Sequence, residues 1–306
     1  MKPKIVVVLG PTAVGKSQVA LTLAEQFHGE IINADSQQVY RYMDIGTGKP
    51  SSRERERARH HLIDIVDPDE VFNAALFRRL AGQAAWEVSA RSQTVIVCGG
   101  TGLYLKALMH GLFEGPGQDA AIRRILESEI AEHGLAFLYR RLQSIDPTVS
   151  SSIHPNDRQR VIRALEVHQL TGKPLSEWQS AHAFHEQPFT VLEIGLNRER
   201  AELYDLINRR SEEMICAGFL EEVRRLVDRG FGPDLKPLQS VGYRQMVAVL
   251  EDRLTIAEGL VDMRQETRRL AKRQLTWFRQ DKTIHWFHPE RQQEIFETVR
   301  DFLHGN

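Results

Sequence analysis

The sequence predicts an α/β fold, an open parallel sheet flanked by helices, into which a helical domain is inserted. Three observations predict it. Runs of β-branched residues too apolar to face water end in glycine-rich turns, helical patterns begin just after those turns, and a long helical stretch separates the first such units from a later strand.

Ile5-Val6-Val7-Val8-Leu9 is a continuous apolar run that stops at Gly10-Pro11, which suits a strand buried on both faces. From Lys16 a helical pattern places Val19, Ala20, Leu23 and Ala24 on one face and ends near Gly29. Glu30 to Ala34 reads as a second strand and Thr94 to Cys98 as a third; Gly99-Gly100-Thr101-Gly102 closes the latter before a helix that begins near Leu103. Past Gly111 the character changes. Gly115-Pro116-Gly117 punctuates the chain, and the pattern then stays helical to about Gln187-Pro188. Within this stretch Pro155-Asn156-Asp157 offers a cap to a helix from Arg158 to Leu170, which Gly172 and Pro174 stop. Thr190 to Leu196 returns as a core strand, and 198–306 reads as long helices broken near Gly230-Phe231-Gly232-Pro233. The expected division is a core over 1–112, a helical insertion over 113–190, and completion of the core over 191–306.

A chain of 306 residues with 42% hydrophobic content can fill a sizeable core, which excludes a disordered or fibrous protein. Lys plus Arg number 40 against 41 Asp plus Glu, so a nucleic-acid partner must be sought in local clusters and not in net charge. Two cysteines, Cys98 and Cys216, have no second ligand at metal-binding spacing and fit a reducing compartment. The start, Met1 to Lys4 and then Ile5 to Leu9, is too short for a secretory core, and no apolar run approaches the roughly 20 residues that span a bilayer. A cytoplasmic protein without a membrane partner is expected.

Gly10-Pro11-Thr12-Ala13-Val14-Gly15-Lys16-Ser17 fits the pattern G-x-x-x-x-G-K-[ST] and lies between a strand and a helix, as a phosphate-binding P-loop requires. The glycines let backbone N–H groups converge on phosphate oxygens, the helix directs its positive end at them, and Lys16 adds a full charge. Ser17 stands where such loops hold Mg²⁺. Four fixed positions recur by accident in roughly one chain of this length per hundred, and the flanking elements make accident rarer. The fold expectation thus becomes a P-loop NTPase-like sheet. The reaction stays open, because ATP-binding kinases, switches and motors share the loop. No Asn-Lys-x-Asp guanine-reading tetrapeptide occurs, and Leu62-Ile63-Asp64-Ile65-Val66-Asp67 reads either as a second Mg²⁺-holding strand or as an ordinary strand or turn.

Asp35 follows the second strand and should emerge at the same sheet edge as the loop. It can take a proton beside bound phosphates, or it can simply cap the next turn with Ser36. The string from Asp35 to Pro50 is rich in hydrogen-bonding side chains suited to reading a base. Arg158, Arg160 and Arg163 gather charge at one end of the capped helix, as backbone contact to a nucleic acid needs, although a solvated charged face reads the same way. Arg210 falls on an apolar stripe with Leu203, Ile207 and Met214, so it should point inward and need an anion or a carboxylate. The helix from about Glu258 to Gln280 carries Arg264, Arg268, Arg269, Lys272 and Arg273 beside an apolar face, and spacing alone does not choose among them.

The phosphate loop, the Asp35–Pro50 string, His60-His61-Leu62-Ile63-Asp64 and Gly99 to Tyr104 together resemble the tRNA dimethylallyltransferases, also called tRNA isopentenyltransferases. Asn156 to Arg160, Ser240 to Gln245 and Leu270 to Gln274 extend the resemblance over nearly the whole chain. The loop alone is unspecific; these strings in this order are specific. With no C-terminal cysteines for a zinc extension, the chain resembles the bacterial form, while Val14 and Ser17 replace the Ser and Thr of many relatives.

The resemblance implies transfer of a dimethylallyl group from dimethylallyl diphosphate to N6 of the adenosine 3′ of the anticodon in tRNA, with the loop holding a leaving group and ATP not consumed. It implies that Gly10, Pro11, Thr12, Ala13, Val14, Gly15, Lys16, Ser17 and Arg210 bind the diphosphate, with Ser17 on Mg²⁺. It implies catalytic roles for Asp35 as general base, for Thr12 near the reacting centre and for Lys16. It implies tRNA contact by Asp35, Ser36, Gln37, Gln38, Thr101 and Arg123, by Gln159, Arg160, Val161, Ile162 and Arg163, and by Gln239, Ser240, Val241, Gly242, Tyr243 and Arg244. One chain should assemble the whole site as a monomer. A prenyltransferase acting on free adenine nucleotides is the second enzyme reading, against which the helical insertion argues, and a nucleotide-hydrolysing switch or kinase is the third.

Overall fold

A computed structural model of the chain describes residues 2–112, 115–182 and 186–305. In chain order, β1 (Lys4–Leu9) leads through the glycine loop to α1 (Lys16–Gln26) and β2 (Gly29–Asn33), followed by α2 (Ser52–Arg57), β3 (His60–His61), α3 (Ala74–Ala90), β4 (Thr94–Gly99) and α4 (Gly102–His110). Five helices come next: α5 (Ala120–His133), α6 (Leu135–Ile145), α7 (Pro147–Ser152), α8 (Arg158–Thr171) and α9 (Leu175–His182). The chain closes with β5 (Thr190–Leu196), α10 (Arg200–Cys216), α11 (Phe219–Asp228), α12 (Tyr243–Leu250), α13 (Ile256–Phe278), β6 (His285–Phe287) and α14 (Gln292–His304).

The six strands form one all-parallel sheet in the order β3-β2-β4-β1-β5-β6. β1 occupies an interior position, with Leu9 opposite both Gly99 and Gly195, and from Ile5 to Leu9 it is almost wholly shielded from water. That is why five apolar residues in a row sit there without alternation. On one face Val6, Val8, Ile31, Ile96, Ile194 and Leu196 share a core with α1, with Leu203 and Ile207 of α10, and with Ile295 and Val299 of α14.

Two strands escape sequence reasoning. β3 has two residues and β6 three, and both lie at sheet edges where a few ladder hydrogen bonds suffice and no long apolar run is needed. The segment 198–306 is therefore not wholly helical. Helices α2 and α3 also went unanticipated, although Ser51 forms a capping box with Glu54 and Asn73 caps α3 through Leu76 N.

The chain forms two compact units, Met1–Met109 with Gln187–Asn306, and His110–Glu186. Thr190, expected as the last residue of the insertion, is the first residue of β5 and pairs with Lys4. The helical unit has its own core, in which Leu126, Leu138, Leu142, Val161, Ile162 and Leu165 are closed to water. Its buried Asp146 accepts from Val149 N at 2.9 Å and from Ser176 N at 2.8 Å, tying the start of α7 to α9.

Candidate active site at the carboxyl edge of the sheet

Parallel strands deliver all their carboxyl ends to one edge, so the turns after β1, β2 and β4 meet there although they are far apart in sequence. After β1 the loop turns sharply at Gly10, where φ is 147° and a side chain would meet the Leu196 carbonyl at 2.6 Å. The loop is held from two sides: Arg198 Nε donates to Val14 O at 3.1 Å, and Thr12 N donates to Gln274 Oε1 at 2.9 Å. Lys16 Nζ donates back to Pro11 O at 2.7 Å. Burial lowers its pKa to about 8; the neighbouring Cys98 and Asp35 act to raise it and Arg210 lowers it further. Ser17 is exposed in the first turn of α1, and its hydroxyl has no hydrogen-bond partner among the described residues.

Asp35 leaves the end of β2 toward the same edge. Its Oδ1 accepts from Gln37 N at 2.8 Å and Gln38 N at 3.4 Å, so it does cap the turn. Its Oδ2 has no partner among the described residues, and one carboxylate thus keeps an acceptor in reserve. Ser36 N donates to Thr101 Oγ1 at 3.2 Å, linking this turn to the one after β4. Gln38 is turned inward and donates to the carbonyls of Thr47 and Gly48, each at 3.2 Å. Gln37 Oε1 is buried without a partner.

Arg210 projects inward from α10, as its place on the apolar stripe predicts, and donates to Thr47 O at 3.4 Å. No carboxylate forms an ion pair with it among the described residues, so the alternative of a buried ion pair does not hold. Burial lowers its pKa, while Asp35 and Glu213 act to raise it. Gly48, at φ 59°, makes room for it, since a side chain there would collide with the guanidinium. Thr12, Ala13, Asp35, Gln37 and Arg210 line one cavity of about 110 Å³, whose remaining wall includes Ile207, Met214, Val241, Met263 and Leu270. The charges of Asp35, Lys16 and Arg210 act on one another, which places them in one electrostatic neighbourhood.

A buried carboxylate shapes the far wall. Glu222 accepts from Asp44 N at 2.9 Å, Ile45 N at 2.7 Å, Gly46 N at 3.1 Å and the Tyr243 hydroxyl at 2.6 Å. Burial and the neighbouring Glu222 raise the Tyr243 pKa well above the ordinary tyrosine value. Tyr243 was expected to meet tRNA. It is 1% exposed with its hydroxyl committed to Glu222, and its place in the site is as part of the cavity wall. Ser240, Val241 and Gly242 line the same cavity. Gln239 donates to Pro233 O at 2.7 Å, and Arg244 pairs with Glu266 at 2.9 Å.

In the helical unit the predicted residues separate into three groups. Val161 and Ile162 are 0% and 1% exposed, so their side chains fill the core and offer nothing to tRNA. Arg123 and Arg163 both grip the fully buried Glu166: Arg123 Nε lies 2.7 Å from Oε1 and Arg163 Nη1 lies 2.8 Å from Oε2. Arg163 also donates to Pro116 O and Gly117 O, fixing the segment before α5. Burial acts to raise the Glu166 pKa, but hydrogen bonds from Arg123 and Arg163 outweigh it and the net shift is downward. Gln159 and Arg160 are exposed, with Arg160 only loosely paired to Asp157 at 3.3 Å.

The segment from Leu62 to Asp67 is not a second metal-holding strand beside the loop. β3 ends at His61 on the sheet edge, with β2 and β4 lying between it and β1. Asp64 bonds Lys49 and Arg55, Asp67 bonds Arg41, and Leu62 and Asp64 have positive φ, so the turn reading holds. Glu202, His288 and Glu290 have metal-ligand types within reach of one another, but the Arg198 guanidinium bonds Glu202 and lies 3.5 Å from Glu290, supplying the positive charge there. On α13, Arg264 pairs with Glu212, Arg269 with Glu266, and Arg268 with Asn208, while Lys272 and Arg273 are exposed. Gln274 ends the Leu270–Gln274 string that carries the resemblance, but no role for it is legible there, and Glu222 belongs to no motif.

The sequence profile of the family described as IPP transferase matches residues 38–281. A tRNA dimethylallyltransferase 2 of Syntrophus aciditrophicus is 50% identical over 304 residues, covering 99% of this chain and 98% of that protein. Among solved structures, the full-length tRNA isopentenylpyrophosphate transferase of Bacillus halodurans superimposes with a TM-score of 0.74 at 39% identity, covering 99% of this chain and 98% of that one. A eukaryotic dimethylallyltransferase acting on tRNA gives 0.84 at 28% identity over 99% of this chain and 80% of its own. With its phosphate loop, its Asp35 turn and this full-length similarity, the chain belongs to the tRNA dimethylallyltransferase family.

Proposed function

We propose that this chain transfers the dimethylallyl group of dimethylallyl diphosphate to N6 of the adenosine 3′-adjacent to the anticodon of tRNA and releases diphosphate. The observation that carries the reading is the single cavity in which loop residues, a carboxylate with a free oxygen, an inward arginine and an apolar wall converge. Each serves one part of an allylic diphosphate or its acceptor. The loop amides, Lys16 and Arg210 hold the diphosphate and stabilise the charge that develops as it departs. Ile207, Met214, Met263 and Leu270 receive the apolar allyl group. Thr12 stands at the loop's entry to the cavity, near the reacting carbon.

The exocyclic nitrogen of adenine is a poor nucleophile because its lone pair is delocalised into the ring. Asp35 takes the N6 proton as the N–C bond forms and the allylic C–O bond breaks, so the proton ends on the carboxylate and the electron pair on the diphosphate. Gln37, with its buried and unpartnered Oε1, is placed to accept an N–H from the base. Ser17, with a free hydroxyl beside the helix terminus, would hold a Mg²⁺ ion, which would help neutralise the charge of the leaving diphosphate. We assign tRNA contact in the helical unit to the exposed Gln159 and Arg160 and not to Arg123 or Arg163. No described helix is long and apolar enough to cross a membrane. We place the enzyme in the cytoplasm, working as a monomer, because every group the reading needs comes from one chain.

The test is incubation of the purified protein with unmodified tRNA and labelled dimethylallyl diphosphate. Label should enter tRNA with stoichiometric release of diphosphate and no ATP requirement. Label that stays out of tRNA while ATP is hydrolysed contradicts the reading and favours a nucleotide-driven switch or kinase.

A further inference from the structure

Helix α13 reaches the site with an uncharged side chain that touches both halves of it. Gln274 Oε1 accepts from Thr12 N at 2.9 Å, and its Nε2 donates to Gly100 O at 2.9 Å. A carboxamide carries an acceptor and a donor on one planar group, and here each end meets a backbone group of opposite type, which fixes its orientation. Gly100 allows the approach, because a side chain there would lie 2.5 Å from Gln274 Nε2. The residue after Gly100 is Thr101, whose hydroxyl accepts from Ser36 N, next to Asp35. A continuous set of contacts therefore runs from the loop that holds the leaving group, through Gln274, to the turn that holds the base.

We propose that Gln274 is a positioning residue for prenyl transfer, one that sets the spacing between the phosphate loop and the Asp35 turn. The proposal rests on the prenyltransferase reading above. The β1–β4 pairing ends at Leu9 and Gly99, and Gln274 is the side chain that continues the link past it, from Thr12 in the loop to Gly100 in the β4 turn. Transfer requires the acceptor nitrogen, the allylic carbon and the departing oxygen to be aligned, and a misplacement of about 1 Å can cost ~10²-fold in rate. Binding of either substrate alone asks less, since the diphosphate is held by the loop and tRNA by a much larger surface. Glutamate cannot replace the residue, because it keeps the acceptor for Thr12 N, loses the donor for Gly100 O and adds a negative charge beside the diphosphate cradle.

The experiment compares the full-length protein with Gln274→Met, Gln274→Asn and Gln274→Glu. It measures the single-turnover rate of transfer at saturating substrates, the affinities for inorganic diphosphate and for unmodified tRNA, and Tm. Gln274→Met should slow transfer by ~10²-fold while both affinities stay close to the wild-type values and Tm falls only slightly. Gln274→Asn, with the same two ends on a shorter arm, should recover part of the rate, and Gln274→Glu should not. A Gln274→Met rate equal to wild type overturns the proposal. So does a loss of rate matched by a large loss of Tm or of diphosphate affinity, which would make the residue merely structural. Failure of the wild type to transfer label removes the prenyltransferase reading and this proposal with it, and that outcome is separate from wild-type transfer that Gln274→Met leaves unimpaired.

Discussion

The sheet edge and the arginines Arg123 of α5 and Arg163 of α8 both present charges that a sequence marks as contacts for an anionic partner, and the two places use them in opposite ways. At the edge, Lys16 and Arg210 have no ion-pair partner among the described residues, and Asp35 keeps one oxygen free. In the helical unit Arg123 and Arg163 are committed to Glu166, which is wholly buried. The difference is where the neutralising charge comes from. An arginine beside a buried carboxylate completes the fold, whereas an inward arginine that meets only a carbonyl keeps a charge that no acidic group of the described residues pairs with.

The largest effect that tests this contrast lies at Asp35. Asp35→Ala should lower single-turnover transfer by about 10²–10⁴-fold, the usual contribution of a positioned acid–base group, with tRNA affinity unchanged. An unchanged rate in that assay would remove Asp35 as the base. Arg210→Gln should come next, weakening inorganic diphosphate binding by ~10–100-fold, the cost of about 1.5–3 kcal/mol for a lost charge-assisted hydrogen bond. Calorimetric titration showing wild-type affinity would place the diphosphate elsewhere.

On the other side of the comparison, Arg123→Ala should act on folding and not on chemistry. Leaving Glu166 with one cation should cost the helical unit about 1–3 kcal/mol, read as earlier unfolding by hydrogen exchange of α5 and α8. The same carboxylate predicts an acid limit. Because its pKa is below the ordinary value in the folded chain, its contribution is fully present above the unfolded carboxylate value of about 4.3 and is lost as pH falls through the lower folded one. Stability of the helical unit that is flat from neutral pH to well below 4.3 would contradict the pairing. The smallest effect belongs to Arg160. Arg160→Ala should leave Tm unaltered and reduce the slope of log affinity for tRNA against log salt by about 1, as loss of one phosphate contact requires. A salt slope equal to that of wild type would take Arg160 off the contact surface.

Much of the fold was legible because buried parallel strands announce themselves. The runs Ile5–Leu9 and Thr190–Leu196 became neighbouring strands, and the glycine loop sits between β1 and α1 as its spacing requires. β3 and β6 were not legible, since two- and three-residue edge strands owe their state to the strand beside them. At the site, Arg210 could be found because a charge on an apolar stripe breaks periodicity. The roles of Gln274 and Glu222 could not, because apart from the Tyr243 hydroxyl on Glu222 their partners are backbone groups between 174 and 262 residues away, and a backbone group leaves no mark on sequence. Val161 and Ile162 show the converse: a motif carried by resemblance includes residues whose side chains pack the core of their own unit.

On the proposed mechanism, the loop that cradles the leaving group and the carboxylate that takes the proton face one another across a single cavity. A crystal structure of the protein with tRNA and a non-reactive thio analogue of dimethylallyl diphosphate would show whether they do. The diphosphate should rest on the amides of Ala13 to Ser17 with Lys16 and Arg210, and Asp35 Oδ2 should lie within hydrogen-bond reach of the adenine N6 that faces the allylic carbon. A complex in which N6 and Asp35 lie on opposite sides of the prenyl group, with no water between the base and the carboxylate, would contradict it.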